Sequence, residues 1–111
     1  MIVNGKELKL YYSIGAYARI SDLCQNHSFK NLAALLAGNY AEAIINITLI
    51  LQDAYYNAFP DETAEKVTRA ELSNLKQFEF EALDQAVSAA MNEGATQTVA
   101  AADSKKKAVE T

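Results

Sequence analysis

The sequence has few of the residues that cross-link small proteins or that interrupt helices and strands. Its 111 residues include one cysteine (Cys24), one proline (Pro60) and four glycines. A lone cysteine excludes an internal disulfide framework and a metal site of several thiolates, and it is typical of a reducing compartment. So few prolines and glycines argue against a loop-rich β-sandwich, which needs many turns. The composition therefore favours a small helical protein of one domain.

Basic residues are also scarce. Ten lysines and arginines stand against fourteen acids, for a net charge of −4. Between residues 53 and 93, nine acids against three bases leave a charge of −6. Nucleic-acid binding needs a clustered basic surface, because the phosphate backbone is negative. The basic cluster at residues 105–107 lies in a segment of small and polar residues that we expect to be disordered. We therefore expect no nucleic-acid partner.

Long hydrophobic runs are missing as well. The longest uncharged apolar stretch covers residues 43–52, far short of the roughly 20 residues that a membrane-spanning helix needs. The N-terminus reaches a turn before an apolar run long enough for a signal peptide. We expect a cytoplasmic protein without a membrane segment.

The N-terminal residues predict a β-hairpin over residues 1–12. Asn4-Gly5 is a strong signal for a two-residue type I′ turn, whose two central positions need positive φ. Such a turn places Val3 opposite Lys6. The alternating apolar residues that follow must pack on helices or extend a sheet between subunits, because an isolated hairpin is only marginally stable in water.

After the hairpin, the spacing of apolar residues predicts a series of helices. A serine or threonine able to cap a helix precedes three of the apolar segments, at Ser13, Ser28 and Thr68. We expect an α+β, mainly α, domain over residues 1–93, in which the hairpin packs on four or five helices. The predicted helices cover residues 14–25, 29–37, 40–59 and 69–93, the last interrupted near residues 76–77 and closed by Gly94, with a disordered tail over residues 94–111.

The segment 40–59 should form the central helix. It is apolar on almost every side, which is typical of a buried helix. Its β-branched residues also fit a strand, but twenty residues without a turn signal favour a helix. Ile44, Ile47 and Leu51 are therefore predicted to lie in the core.

Residues that could carry out catalysis are few and scattered. His27 is the only histidine, and the predicted helix ends between it and Cys24, so no thiol–imidazole pair is indicated. One histidine and one cysteine also make a poor zinc site. The acid pairs, such as Asp61-Glu62, fall on segments that are predicted to be solvated, and the isolated glycines form no phosphate-binding loop. We expect no enzymatic activity, no catalytic or metal-binding residues and no cofactor.

Aromatic side chains offer the best candidate for a binding surface. Tyr55 and Tyr56 are consecutive on a predicted helix, so they point about 100° apart and cannot easily face one core. Exposed aromatic residues are enriched in protein interfaces. The candidate partner-binding surface comprises Tyr11, Tyr55, Tyr56, Phe59 and Phe78. The alternative is that the tyrosines rim the core with their hydroxyl groups in water.

The order of these elements resembles a known family. The run IVNGKELKL (residues 2–10) leads directly into a predicted helix, then a short helix, a long apolar helix and a Thr-x-x-Glu start at Thr68. Over roughly residues 1–93 this layout resembles the tail assembly chaperones of long-tailed bacteriophages, especially those that infect Gram-positive hosts. Members usually carry Leu-Lys-Phe or Leu-Lys-Tyr before the first helix, and Leu-Tyr-Tyr at residues 10–12 is similar.

The resemblance implies a non-enzymatic protein of the host cell cytoplasm that is absent from the finished virion. Such a chaperone binds the tape measure protein, helps to recruit the major tail protein and forms homo-oligomers. Two alternatives remain open. One is a structural virion subunit such as a head–tail connector, and the other is a small helical regulatory protein, for which the sequence shows no basic recognition helix.

Overall fold

The computed structural model describes residues 1–96, which are mainly helical and carry a two-stranded antiparallel hairpin at the N-terminus. This confirms the predicted fold class. Of the disordered tail predicted over residues 94–111, residues 94–96 are helical instead, and residues 97–111 lie outside the described residues. The strands are β1 (Ile2–Val3) and β2 (Lys6–Glu7), and the helices are α1 (Ile14–Leu23), α2 (Leu32–Gly38), α3 (Tyr40–Ala58), α4 (Arg69–Ser73) and α5 (Gln77–Thr96).

The hairpin turn has the predicted geometry. Asn4 and Gly5 both adopt positive φ, at 51° and 80°, as the two central residues of a type I′ turn require. Val3 pairs with Lys6 in the antiparallel register. The Asn4-Gly5 signal therefore predicted both the turn and the pairing beside it.

The second strand is shorter than predicted. Its ladder ends at Glu7, the Leu8 N–H still donates to the Met1 carbonyl oxygen at 2.9 Å, and the segment that follows runs along α3. There the Tyr11 N–H donates a hydrogen bond to the Leu51 carbonyl oxygen at 3.1 Å. The prediction of strand structure through residue 12 is wrong, because α3 rather than β1 supplies the partner for this segment.

Polar side chains cap the helices where the sequence predicted caps. The Ser13 hydroxyl accepts a hydrogen bond from the first turn of α1 at 3.1 Å. Thr68 and Glu71 form the predicted capping box at the start of α4. Asn39 caps α3 by accepting a hydrogen bond from the Glu42 N–H at 3.2 Å. These bonds satisfy backbone N–H groups that have no partner within their own helix.

All four predicted helices end at residues other than those predicted, α2 and α3 by one residue each, and α2 begins at Leu32 rather than at residue 29. Helix α1 ends at Leu23 rather than near residue 25, because Cys24 already adopts an extended conformation, with φ −88° and ψ 156°. Helix α5 continues through Gly94 to Thr96, although Gly94 was predicted to close it. The predicted interruption near residues 76–77 is confirmed, because α4 and α5 are separate helices.

Helix α3 lies at the centre of the core and contacts α1, α2, α4 and α5. The predicted core residues Ile44, Ile47 and Leu51 are all buried. Their burial removes apolar surface from water, which is the main favourable contribution to folding. The other elements add buried side chains around them, including Val3, Ile20, Val67, Leu72, Leu83 and Val87.

Glu71 connects the hairpin to α4. Its carboxylate accepts hydrogen bonds from the Asn4 side-chain amide at 2.7 Å, from the Thr68 N–H at 2.9 Å and from the Lys6 ammonium at 3.0 Å. These bonds, the one from Asn4 above all, lower the pKa of Glu71 to about 2. Charge-assisted hydrogen bonds of this kind favour the ionised carboxylate.

This lowered pKa predicts an acid-sensitive contribution to stability. Because the folded pKa lies below the unfolded value of about 4.3, the contribution is complete above that value and is lost as the pH falls towards 2. We expect the free energy of unfolding, measured with urea, to fall less steeply between pH 5 and 2 in Glu71→Gln than in the wild type. Glu81→Gln, which changes an exposed acid on α5, should follow the wild-type curve. Parallel curves for the wild type and Glu71→Gln would contradict this account.

Candidate protein-binding groove

The two residues most able to act as a nucleophile and a base face different environments. The Cys24 thiol is buried and donates a hydrogen bond to the Ile20 carbonyl oxygen at 3.4 Å. Burial raises the pKa of the Cys24 thiol, so little of it is thiolate near neutral pH. The His27 imidazole is exposed and lies 3.5 Å from the Asp22 carboxylate. The structure thus places the thiol inside the fold and the imidazole outside it.

Carboxylates in the described residues form surface ion pairs. Arg19 lies 3.4 Å from Asp53 and Arg69 lies 2.8 Å from Glu42, in each case between exposed side chains. Such exposed pairs contribute little to stability. Within residues 1–95 no group of three or more histidine, cysteine, aspartate or glutamate side chains could hold a metal ion. Over the same part of the chain, no helix combines the length and the apolar character that crossing a membrane requires.

Four of the five predicted aromatic residues meet near the C-terminal end of α3. The Phe59 ring lies 4.7 Å from Tyr55 and 5.8 Å from Tyr11, and Tyr55 lies 5.5 Å from Tyr56, measured between ring centroids. We call these four residues the aromatic cluster. Phe78 is not part of it, because its ring, 71% exposed on α5, contacts no other aromatic ring within the described residues.

The tyrosines of the aromatic cluster differ in how their hydroxyl groups are placed. The Tyr55 hydroxyl donates to the Glu62 carboxylate at 3.4 Å, and the Lys9 ammonium lies 5.6 Å above the Tyr55 ring. The Tyr56 hydroxyl is buried and has no hydrogen-bond partner among the described residues. The interpretation that tyrosines rim the core with wet hydroxyl groups therefore fails for Tyr56. Since the rings also pack on one another, only part of the aromatic cluster is available to a partner.

A second apolar surface lies towards the other end of α3, in a groove bounded by α2, α3 and α5. The groove is open along one side and has a volume of about 610 Å³. Apolar side chains from all three helices line it, among them Leu32, Leu36, Ile44, Ile47, Val87 and Met91.

Helix α2 contributes two partly buried leucines, Leu32 and Leu36, to the groove. Its sequence, LAALLAG, carries no charged or hydrogen-bonding side chain, yet none of its residues is fully buried. An apolar helix is stable when a face of it is covered by other apolar groups. In this chain α3 covers one side of α2, and the side that borders the groove stays open.

Asp84 gives the groove a negative edge. Its carboxylate accepts a hydrogen bond from the Tyr40 hydroxyl at 2.6 Å, and this bond, with burial and the carboxylate charge, raises the pKa of Tyr40. Tyr40 in turn packs edge-on against Phe80, with ring centroids 6.2 Å apart. Asp84 is the one charged residue among the described residues that line the groove. The edge is therefore acidic, and the Tyr40 hydroxyl holds the carboxylate in place.

None of the residues in the predicted partner surface lines this groove. Leu36, Val87 and Met91 have the helical spacing of core residues, so their pattern predicts burial without saying what covers them. The sequence feature that could have pointed to the groove is the composition of α2, a short apolar helix that has no polar face to turn towards water. That signal indicates a surface for a partner only once the fold shows that α3 covers one side of α2.

Protein-family models, curated proteins and solved structures were all compared with this chain, and none matches it. The observations that bear on function are therefore the groove, the aromatic cluster and the resemblance in the order of elements.

Proposed function

We propose that this protein is a phage tail assembly chaperone. It binds the tape measure protein in the host cell cytoplasm and helps to recruit the major tail protein while the tail forms. It acts as a homo-oligomer, without catalysis and without a cofactor. The observation that carries this proposal is the open apolar groove bounded by α2, α3 and α5, and the resemblance in the order of elements supports it.

The groove suits a client whose own apolar surface is exposed before assembly. An apolar groove between helices is a common docking site for the apolar face of another helix. Covering that face removes it from water and from contact with other copies of the client, so aggregation is suppressed. The net charge of −4 adds repulsion between loaded complexes, which favours their solubility.

Coexpression with the tape measure protein of the same phage tests this proposal. We expect the tape measure protein to be recovered in the soluble fraction together with this chain, and to aggregate when expressed alone. The matched control is a coexpressed small acidic protein of unrelated fold. A tape measure protein that is equally soluble with the control would contradict the proposal.

Mass spectrometry of purified virions separates the chaperone from a structural subunit. A chaperone leaves the assembly, so its peptides should be absent from mature particles, although present in the lysate of infected cells. Stoichiometric amounts in the particle would support a permanent component such as a head–tail connector, and would contradict a chaperone that leaves before the virion is complete.

A further inference from the structure

The length of the groove matches a short helix. Its lining on α5 runs from Asp84 to Ala95, which at 1.5 Å per residue is about 16 Å, or three helical turns. The facing side is formed by α2, from Leu32 to Leu36. An occupant of three to four turns would therefore contact α5 along its length and α2 along about one turn.

The chemistry of the lining favours a helix over an extended segment. Seven of its fourteen described residues are leucine, isoleucine, valine, methionine or phenylalanine, and two more are alanine. An extended segment would bring unpaired N–H and C=O groups against this apolar surface, which costs free energy. A helix satisfies its own backbone groups and presents apolar side chains at i, i+3, i+4 and i+7.

The charge at the edge defines a further property of the occupant. One Asp84 oxygen accepts the hydrogen bond from Tyr40, and an ionised carboxylate can accept several more. None of the described lining residues is a cation. A lysine or arginine beside the apolar stripe of the occupant would supply a charge-assisted hydrogen bond there.

Two occupants from this chain itself fit less well. Residues 97–111 contain no apolar side chain larger than valine, whereas the groove accepts side chains between leucines and isoleucines. Helix α1 of a second copy exposes Ile14 and Tyr17, but Tyr17 stacks on Phe29 at 4.8 Å. Its basic residue, Arg19, is paired with Asp53 at 3.4 Å, so although Ile14 is exposed, this helix offers no unpaired basic group to Asp84.

We propose that the groove binds an amphipathic helix of a partner protein, three to four turns long, with one basic side chain placed to meet Asp84. This inference rests on the proposed function and names the part of the client that the chaperone recognises. Leu36 and Met91 contact the apolar stripe from opposite sides of the groove, and Asp84 sets the direction in which the helix lies.

Two synthetic peptides of about 18 residues, long enough for measurable helicity, test the proposal. Both are alanine-rich with one leucine stripe, and they differ only in a lysine or a glutamate beside that stripe. Fluorescence anisotropy with the full chain measures their affinities. We expect the lysine peptide to bind the wild type about tenfold more tightly than the glutamate peptide, as a charge-assisted hydrogen bond predicts.

A charge reversal separates recognition by Asp84 from general electrostatic attraction. Asp84→Lys should reverse the order of the two affinities, so that the glutamate peptide binds more tightly than the lysine peptide. The matched control is Glu93→Lys on the same helix, nine residues further on and therefore on the opposite face. Residue 93 lies about 14 Å from residue 84 along the helix axis, beyond the screening length of about 8 Å at physiological salt. The lysine peptide should therefore still bind this variant more tightly than the glutamate peptide.

A second pair of variants tests the apolar lining. Leu36→Asp should abolish binding of both peptides, whereas Ala34→Asp, an exposed residue of α2 outside the lining, should leave it unchanged. Circular dichroism of each variant establishes that the helices are retained. Equal binding of the two peptides by the wild type would overturn the role of Asp84, and no binding of either would overturn the groove as a helix site.

Further readouts identify the other possible occupants. Loss of self-association in Leu36→Asp but not in Ala34→Asp, measured by sedimentation, would show that a second copy fills the groove. A large gain in peptide affinity on removal of residues 97–111 would show that the chain's own tail fills it. Either result overturns this inference. The proposed function is tested separately, because the tape measure protein can still be recovered with this chain if it binds elsewhere.

Discussion

Replacing Gln52 with leucine is expected to lower the free energy of unfolding by about 2–5 kcal/mol. The Gln52 amide is buried and makes two hydrogen bonds to one residue: it donates to the Val67 carbonyl oxygen at 2.8 Å and accepts from the Val67 N–H at 2.8 Å. These bonds hold the connection between α3 and α4 against the core. Leucine fills a similar volume but leaves both backbone groups of Val67 buried without partners.

Urea denaturation followed by circular dichroism measures this loss. The matched control is Thr48→Val, which also removes a buried polar group from α3. The Thr48 hydroxyl donates to the Ile44 carbonyl oxygen at 2.7 Å, which lies within a helix and keeps its backbone partner, so a change below about 1 kcal/mol is expected. If Gln52→Leu were as mild as the control, the Val67 bonds would contribute little to stability.

Replacing Gly94 with alanine is expected to destabilise the protein by about 1–3 kcal/mol. A Cβ atom at Gly94 would lie 2.7 Å from the Tyr12 carbonyl oxygen and 2.8 Å from the Tyr12 Cβ. Because the nearest atoms belong to the backbone and the base of a side chain, α5 must move away to make room. The expected result is opposite to helix propensity, which favours alanine over glycine by about 1 kcal/mol.

Gly38→Ala provides the control for propensity. Gly38 also lies in a helix, and a Cβ there would meet no atom of the described residues within 4 Å. Alanine should therefore leave the stability of the protein unchanged or raise it by up to about 1 kcal/mol. The midpoints of thermal unfolding of the two variants compare the steric effect at Gly94 with the helix-propensity effect at Gly38. Stabilisation by Gly94→Ala would contradict the close packing of α5 on Tyr12.

Features that depend on neighbouring residues were predictable from the sequence. The Asn4-Gly5 turn, the Ser13 cap and the Thr68–Glu71 capping box each need only a few consecutive residues. The burial of α3 followed from its apolar composition. In these cases the local pattern and the tertiary structure favour the same conformation, which is typical of a sequence that folds to one state.

Features that depend on distant contacts were not predictable. Glycine commonly ends a helix, so the sequence predicts that α5 stops at Gly94. Only the structure shows that Gly94 instead allows α5 to pack closely on Tyr12. The partner of Gln52 lies beyond the end of α3 and is a backbone group, which has no sequence signal. The groove depends on the distance between α2 and α5 across α3, whereas the aromatic residues chosen from the sequence mostly pack on one another.

Amide hydrogen exchange of the full chain, alone and bound to the tape measure protein, tests the central proposal most directly. We expect binding to slow exchange in α2 and in the part of α5 that lines the groove, from Asp84 to Ala95, because an occupied groove opens less often. Exchange near Tyr55 and Phe59 should stay the same. Slowed exchange confined to the aromatic cluster, with α2 unaffected, would contradict the groove as the client-binding surface.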